Sequence, residues 1–188
     1  MIAGLGHDIV SVAQFAQQMQ DSNGWRALFS VRELRQCDLR AQAKNDEKAL
    51  HIAARWAGKE AVIKAWSEAL CTINSPYPYT LDNMPWASIE ILNDSHGCPR
   101  VILGPDVHSQ LVKSLESVFA KNSDVKNPDV KNPDVKNQDA KNPDSSKRLD
   151  QVLENLDNKI RWHISLTHDG LLEDNSAFAS AVVMLEVL

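Results

Sequence analysis

The run from residue 51 to 70 constrains the fold most. Ile52, Trp56, Ile63, Trp66 and Leu70 recur there near helical spacing, which predicts the main helix of the chain. A helix that apolar must be covered by other elements. Residues 1–10, MIAGLGHDIV, read as a strand, and Ser11 can cap a helix starting at 12. A second helix is predicted from about residue 31. Pro76, Pro78 and Pro85 then mark a loop. SIEIL and PRVIL flank NDSHGC and predict a hairpin with Gly97 in its turn. Residues 106–120 read as helix. Residues 162–167 and 178–187 read as two strands around the loop HDGLLEDNS. Strands and helices alternate without βαβ spacing, so the class is α+β: an antiparallel sheet on a long central helix. The 188 residues, 43% of them hydrophobic, suit a single domain over 1–188 with a core that needs no metal or disulfide staple.

Charge and cysteine usage narrow the function. The net charge of −5 argues against a nucleic-acid-binding face. No apolar run approaches the roughly 18 residues of a membrane span. The N-terminus has neither the basic start nor the apolar stretch of a signal peptide, and a cytoplasmic location is expected. Cys37, Cys71 and Cys98 are an odd number without CxxC spacing, expected as free, mostly buried thiols. Residues 122–144 repeat a five-residue unit: NSDVK, NPDVK, NPDVK, NQDAK, NPD. One small apolar side chain per unit cannot build a core, so the repeat is expected to be a disordered insertion without catalytic role.

Three segments carry candidate chemistry. Asp8 ends an apolar strand behind Gly4 and Gly6, which would let a backbone or ligand approach closely; its bland reading is a helix cap. Glu60 lies at the edge of the apolar helix face, where a carboxylate needs a partner. A Glu60–Lys64 pair, worth about 0.3–0.5 kcal/mol if exposed, is the ordinary explanation. Arg55, Lys59 and Lys64 put three cations on that helix, a set that suits phosphate oxygens. Two carboxylates beside such cations are what a Mg²⁺–phosphate site requires. In HISLTH, residues 163–168, His163, Ser165 and Thr167 share one strand face and His168 falls at the strand end. A Ser165–His168 nucleophile is discounted, since no GxSxG motif accompanies it.

Taken in order, GLGHDIV, ARWAGKEAVIKAW and HISLTHDG…AFASAVVMLE resemble the motifs of holo-acyl-carrier-protein synthases, members of the phosphopantetheinyl transferase superfamily. SIEILNDSHGCPRVIL resembles the hairpin between the second and third motifs. The resemblance covers the chain outside the 122–144 repeat and part of the 71–86 loop. It implies an α+β fold, homotrimers with active sites at subunit interfaces, and transfer of 4′-phosphopantetheine from coenzyme A to a serine of acyl-carrier protein in fatty acid biosynthesis, releasing adenosine 3′,5′-bisphosphate. It further implies Asp8 and Glu60 as Mg²⁺ ligands, Lys64 on the coenzyme A phosphates and Arg55 near the nucleotide phosphates. His168 would approach the phosphates from its strand end, with Ser165 and Thr167 at the nucleotide end. Lys59 matches the pattern with a less defined cofactor-binding role. Glu60 is the first candidate for the base that accepts the serine proton; His168 and water remain alternatives.

Two departures stand out. The first helix carries Gln14, Gln17, Gln18 and Gln20 where the family often has arginines that meet the acidic carrier protein. Either Arg26, Arg32 and Arg35 compensate, or the expected partner is a carrier recognised less by charge or a carrier domain of a larger synthase. Gly58 stands where the family usually has Ala, at about 1 kcal/mol of helix propensity. Two other readings compete with the transferase. One is a noncatalytic module binding coenzyme A or carrier protein, and the other is a general phosphate-binding protein.

Overall fold

The computed structural model describes residues 1–124, 159–172 and 175–188. The element order is β1 (Ile2–Ser11), α1 (Val12–Asp21), α2 (Val31–Lys44), α3 (Lys48–Cys71), β2 (Ile89–Asn93), β3 (Pro99–Leu103), α4 (Pro105–Asp124), β4 (Ile160–Asp169) and β5 (Phe178–Val187). The α+β expectation holds. β1, β5 and β4 form an antiparallel sheet in that order, and β2–β3 is a separate hairpin with Gly97 at φ 84° in its turn. The region 122–144 lies, beyond residue 124, outside the described residues.

α3 is the axis of the molecule and exceeds its predicted span at both ends. Nearly every face of it is buried: Ala57, Ala61, Ala65 and Ala69 on one side, Ile52, Val62, Trp66 and Leu70 on others. The alanines matter most, because β1 crosses directly over them. A Cβ on Gly4 would stand 2.0 Å from the Ala65 carbonyl oxygen, and one on Gly6 would stand 1.9 Å from that of Ala61. Any side chain there would push strand and helix apart, so glycine is required for the approach rather than for φ freedom. The approaching backbone is that of α3, one of the two possibilities the sequence left open.

The remaining elements close over the other faces. The loop after α3 sends Tyr77 and Tyr79 onto Trp66, with ring centroids 4.9 and 6.1 Å away. The indole N–H of Trp66 donates to Ser114 Oγ of α4 at 2.9 Å, so the largest buried side chain is polar-satisfied. α1 starts at the expected cap, Ser11 Oγ accepting from Gln14 N. α2 starts at a capping box, Ser30 with Glu33. The cysteines are free as expected, but the burial expectation fails for two of them. Cys37 is buried, its thiol pushed up to about 11 by that burial, whereas Cys71 and Cys98 are exposed. Both exposed residues sit at element ends, where the chain turns to the surface.

Candidate active site

The glycine contact of β1 with α3 places Asp8, two residues beyond Gly6, against the Glu60–Lys64 turn of the helix. Asp8 is 8% exposed. Its Oδ1 accepts from Lys64 Nζ at 2.7 Å, and the same ammonium donates to the His7 carbonyl at 3.2 Å. Lys64 therefore bonds across to the strand, and the ordinary pairing within the helix is replaced. Glu60 lies beside Asp8. Burial first, and the Asp8 charge second, hold its carboxyl above the usual carboxylate range. A cavity of about 250 Å³ opens at the pair, lined further by Ser11, Gln14, Phe15, Gln18 and Trp56. Two adjacent carboxylates with half-exposed Lys64 at their side form an all-oxygen donor set of the kind Mg²⁺ prefers. The residues present fit that ion.

The other expected site residues part company with this pair. Lys59 is fully buried and fully occupied: its ammonium bonds Glu33 Oε2 and the Trp86 carbonyl, both at 2.8 Å, and also the Ile89 carbonyl. Glu33 uses its remaining capacity on the Ser30 and Ile91 amides. The cofactor-binding expectation for Lys59 is thus corrected. This residue ties α2, α3 and the hairpin together from inside, where no ligand reaches. Arg55 is also buried, and its guanidinium bonds Asn93 Oδ1 and, at 3.3 Å, Gln36 Oε1. Gln36 completes that network, its Nε2 donating to the Asn93 carbonyl at 2.7 Å and its Oε1 accepting from the Asn93 N–H at 2.8 Å. Arg55 is a wall of a second cavity, of about 140 Å³, shared with Arg40, Lys44, His51 and His168.

His168 packs edge-to-face on His51, ring centroids 5.0 Å apart. Burial, and then the nearby His51, push its imidazole below the usual histidine range. His51 is nine residues before Glu60 on α3, or about 13 Å along the axis at 1.5 Å per residue. Within one chain, then, His168 and the Asp8–Glu60 pair belong to different cavities. Ser165 and Thr167 are separated from His168 by strand parity. The sheet's outer, solvent-side face carries Ser165 and Thr167, together with His163, while His168 follows Ile164 and Leu166 toward the protein. That outer face is also apolar, with Leu5 and Ile9 of β1 and Val182 of β5 all exposed.

Sequence reasoning passed over Glu33, Gln36, Asn93, Arg40, Lys44, Asp46 and His51. Only Glu33 carried a readable signal, the Ser30-x-x-Glu33 spacing. Asp46 and His51 come from a turn and a helix start that nothing in the pattern connects to the end of β4.

Comparison with known proteins identifies the family. The sequence pattern of the 4′-phosphopantetheinyl transferase superfamily matches residues 4–179. The chain is 41% identical over 190 aligned residues to the holo-[acyl-carrier-protein] synthase of Bifidobacterium adolescentis, spanning 98% of this chain and 99% of that one. It is 38% identical to the enzyme of the same name from Bifidobacterium animalis subsp. lactis, over 98% of this chain and 97% of that one. In fold it is similar to the ACPS–CoA complex of Chronobacterium ammoniagenes, with a TM-score of 0.60, 22% identity, and 98% and 97% of the two chains covered. Match length, identity and fold agree, and the chain belongs to the 4′-phosphopantetheinyl transferase superfamily.

Proposed function

We propose that this protein transfers 4′-phosphopantetheine from coenzyme A to a serine of an apo-acyl-carrier protein, releasing adenosine 3′,5′-bisphosphate. The observation that carries the reading is the Asp8–Glu60–Lys64 cluster at the mouth of a 250 Å³ cavity. It occurs in a chain whose curated relatives of nearly equal length are holo-[acyl-carrier-protein] synthases. The acceptor is a carrier protein of fatty acid biosynthesis, and the reaction is cytoplasmic.

The serine oxygen attacks the β-phosphorus of the coenzyme A pyrophosphate, and the bond to the bridging oxygen breaks as the bisphosphate leaves. Asp8 and Glu60 would hold Mg²⁺, which supplies charge neutralisation at the pyrophosphate oxygens. Lys64 is long and half-exposed, so its ammonium can leave Asp8 for a phosphate oxygen once that carboxylate is otherwise engaged. Glu60 is the first candidate to accept the serine proton, with His168 and water as the alternatives. Arg55 contributes its positive charge from the wall of the second cavity, and His168 meets the phosphates there.

A reaction using both cavities calls for more than one copy of the chain. Homotrimers with interfacial active sites fit two observations: the spacing of about 13 Å between His51 and Glu60 along α3, and the apolar outer face of the sheet. On this reading Ser165 and Thr167 serve the nucleotide bound at a neighbouring copy's cavity. Light scattering on the eluting protein tests the assembly. The activity test is the intact mass of an apo-carrier protein incubated with this enzyme, coenzyme A and Mg²⁺. A gain of one phosphopantetheine, abolished by EDTA, supports the proposal; no gain on free carrier proteins or on excised carrier domains overturns it.

A further inference from the structure

A second set of ligand-type side chains converges where the α2–α3 turn meets the end of β4. α2 ends at Asn45, whose left-handed backbone (φ 54°) reverses the chain and delivers Asp46 beside the first turn of α3. Asp46 Oδ1 lies 2.6 Å from His51 Nε2. The His168 ring stands at 84° to that of His51. One ligand atom from each of Asp46, His51 and His168 lies within 4.8 Å of the other two. Around a tetrahedral ion with bonds of about 2.0–2.1 Å, ligand atoms sit roughly 3.3 Å apart, so small side-chain rotations close the set. His51, at 2% exposure, is held by packing before any ion arrives.

The donor set decides which ion. Two imidazole nitrogens and one carboxylate oxygen suit Zn²⁺, Co²⁺ and their first-row neighbours, whereas the all-oxygen Asp8–Glu60 pair suits Mg²⁺. The cations around the site decide the fourth position. Arg40, Lys44 and Arg55 line the 140 Å³ cavity that His51 and His168 share. They oppose a bare dication but favour an anion bound to it, so a metal here carries an anionic fourth ligand.

We propose that Asp46, His51 and His168 bind a transition-metal dication of the Zn²⁺ class, with an anion completing the coordination. The metal replaces the proton shared between Asp46 and His51, and that proton passes to solvent. Because His168 also serves the transfer reading above, binding is measured directly and not through turnover. The two ideas then fail separately.

The test is a Co²⁺ titration of the untagged full-length protein in excess Mg²⁺, which fills the Asp8–Glu60 pair, with chloride as the anion, followed by the visible d–d absorption of tetrahedral Co²⁺ and the ultraviolet thiolate band. The expected result is one equivalent of Co²⁺, displaced by Zn²⁺, without a thiolate band from the exposed Cys71 or Cys98. Asp46→Asn and His51→Ala each weaken binding at least about tenfold. If His51→Ala does not fold, Asp46→Asn, altered at a half-buried turn position and checked by circular dichroism, carries the comparison. Absence of the d–d band, a dominant thiolate band, or full-strength binding in folded Asp46→Asn overturns the proposal.

Discussion

Lys59 and Glu60 are adjacent on α3 and opposite in environment. Lys59 points into the protein, where its ammonium meets a carboxylate and two carbonyls and touches no water. Glu60 points to a cavity and lies beside another carboxylate that its charge repels. A buried ion can persist only when every bond it loses to water is replaced. A functional carboxylate is kept where that replacement is incomplete and a ligand finishes it. The same 100° step along the helix therefore separates a residue that stabilises the fold from one that the fold holds at some cost.

The largest effect is expected of Lys59→Met. It leaves Glu33 as an unpaired charge in the core, and removal of one partner of a buried pair typically costs about 3–5 kcal/mol. The expected outcome is a protein largely unfolded by circular dichroism at ambient temperature, or one with a strongly lowered urea midpoint. Lys59→Met with Glu33→Gln should recover part of the loss, because the amide oxygen still accepts from a backbone N–H. A double variant as unstable as the single one would show that the carbonyl bonds of Lys59, and not its charge, hold the hairpin.

Glu60→Gln should do the reverse: lose activity and gain stability. Transfer falls by about 10³-fold, within the 10²–10⁴-fold typical of a general base, while the melting temperature rises. The pH dependence carries the sign. The carboxyl of Glu60 is raised in the folded state, so its cost is fully present above that raised value and is relieved as pH falls through it. The stability gap between parent and variant is therefore widest at neutral and alkaline pH and closes toward acid. A gap that widens toward acid would mean that Glu60 is held by a favourable partner and that the cost argument is wrong.

These residues also mark how far the sequence could be read. Gly4 and Gly6 announce a close approach and helical spacing puts Glu60 at the edge of the buried face, but neither says that Asp8 and Glu60 meet; that pairing was implied only by the family resemblance. The strands and helices were legible from their periods. Lys59 was not, since a charge on a fully buried helix does not declare its partner, and Glu33 lies 26 residues away on another helix. The division of Ser165 and Thr167 from His168 follows from strand parity alone, yet parity does not say which face meets solvent. That needed the position of α3 under the sheet. The second cavity joins His51 to His168 across more than a hundred residues, with Asp46 bonded to His51 beside it, and nothing local predicts it.

Lys64 separates charge from fold more gently. It is half-exposed, but the Asp8 carboxylate that it bonds is buried, so Lys64→Ala should cost, read from the melting curve, an amount between the ~1 kcal/mol limit of an exposed pair and the ~3–5 kcal/mol of a fully buried one. Transfer should drop roughly 10²-fold through the lost phosphate contact. Loss of fold together with activity would move Lys64 into the structural class with Lys59.

The smallest effect is expected one residue before that class boundary, at Gly58. Glycine inside a helix costs about 1 kcal/mol relative to alanine, which favours Gly58→Ala. Against it, the new Cβ would stand 3.0 Å from Ile91 Cγ1 and 3.3 Å from Leu166 Cδ2. Both contacts are side-chain atoms, one on the hairpin and one on β4, so each neighbour can give by a few tenths of an ångström, unlike the backbone carbonyls that forbid side chains at Gly4 and Gly6. Propensity and crowding are of similar size and opposite sign, so the net change in unfolding free energy should stay within about 1 kcal/mol. Urea titration measures it. Gly6→Ala in the same assay should be far worse, because its Cβ meets main chain at 1.9 Å. Equal costs at the two positions would mean that strand and helix can separate as easily as side chains shift, and the contact that sets Asp8 beside Glu60 would then be soft.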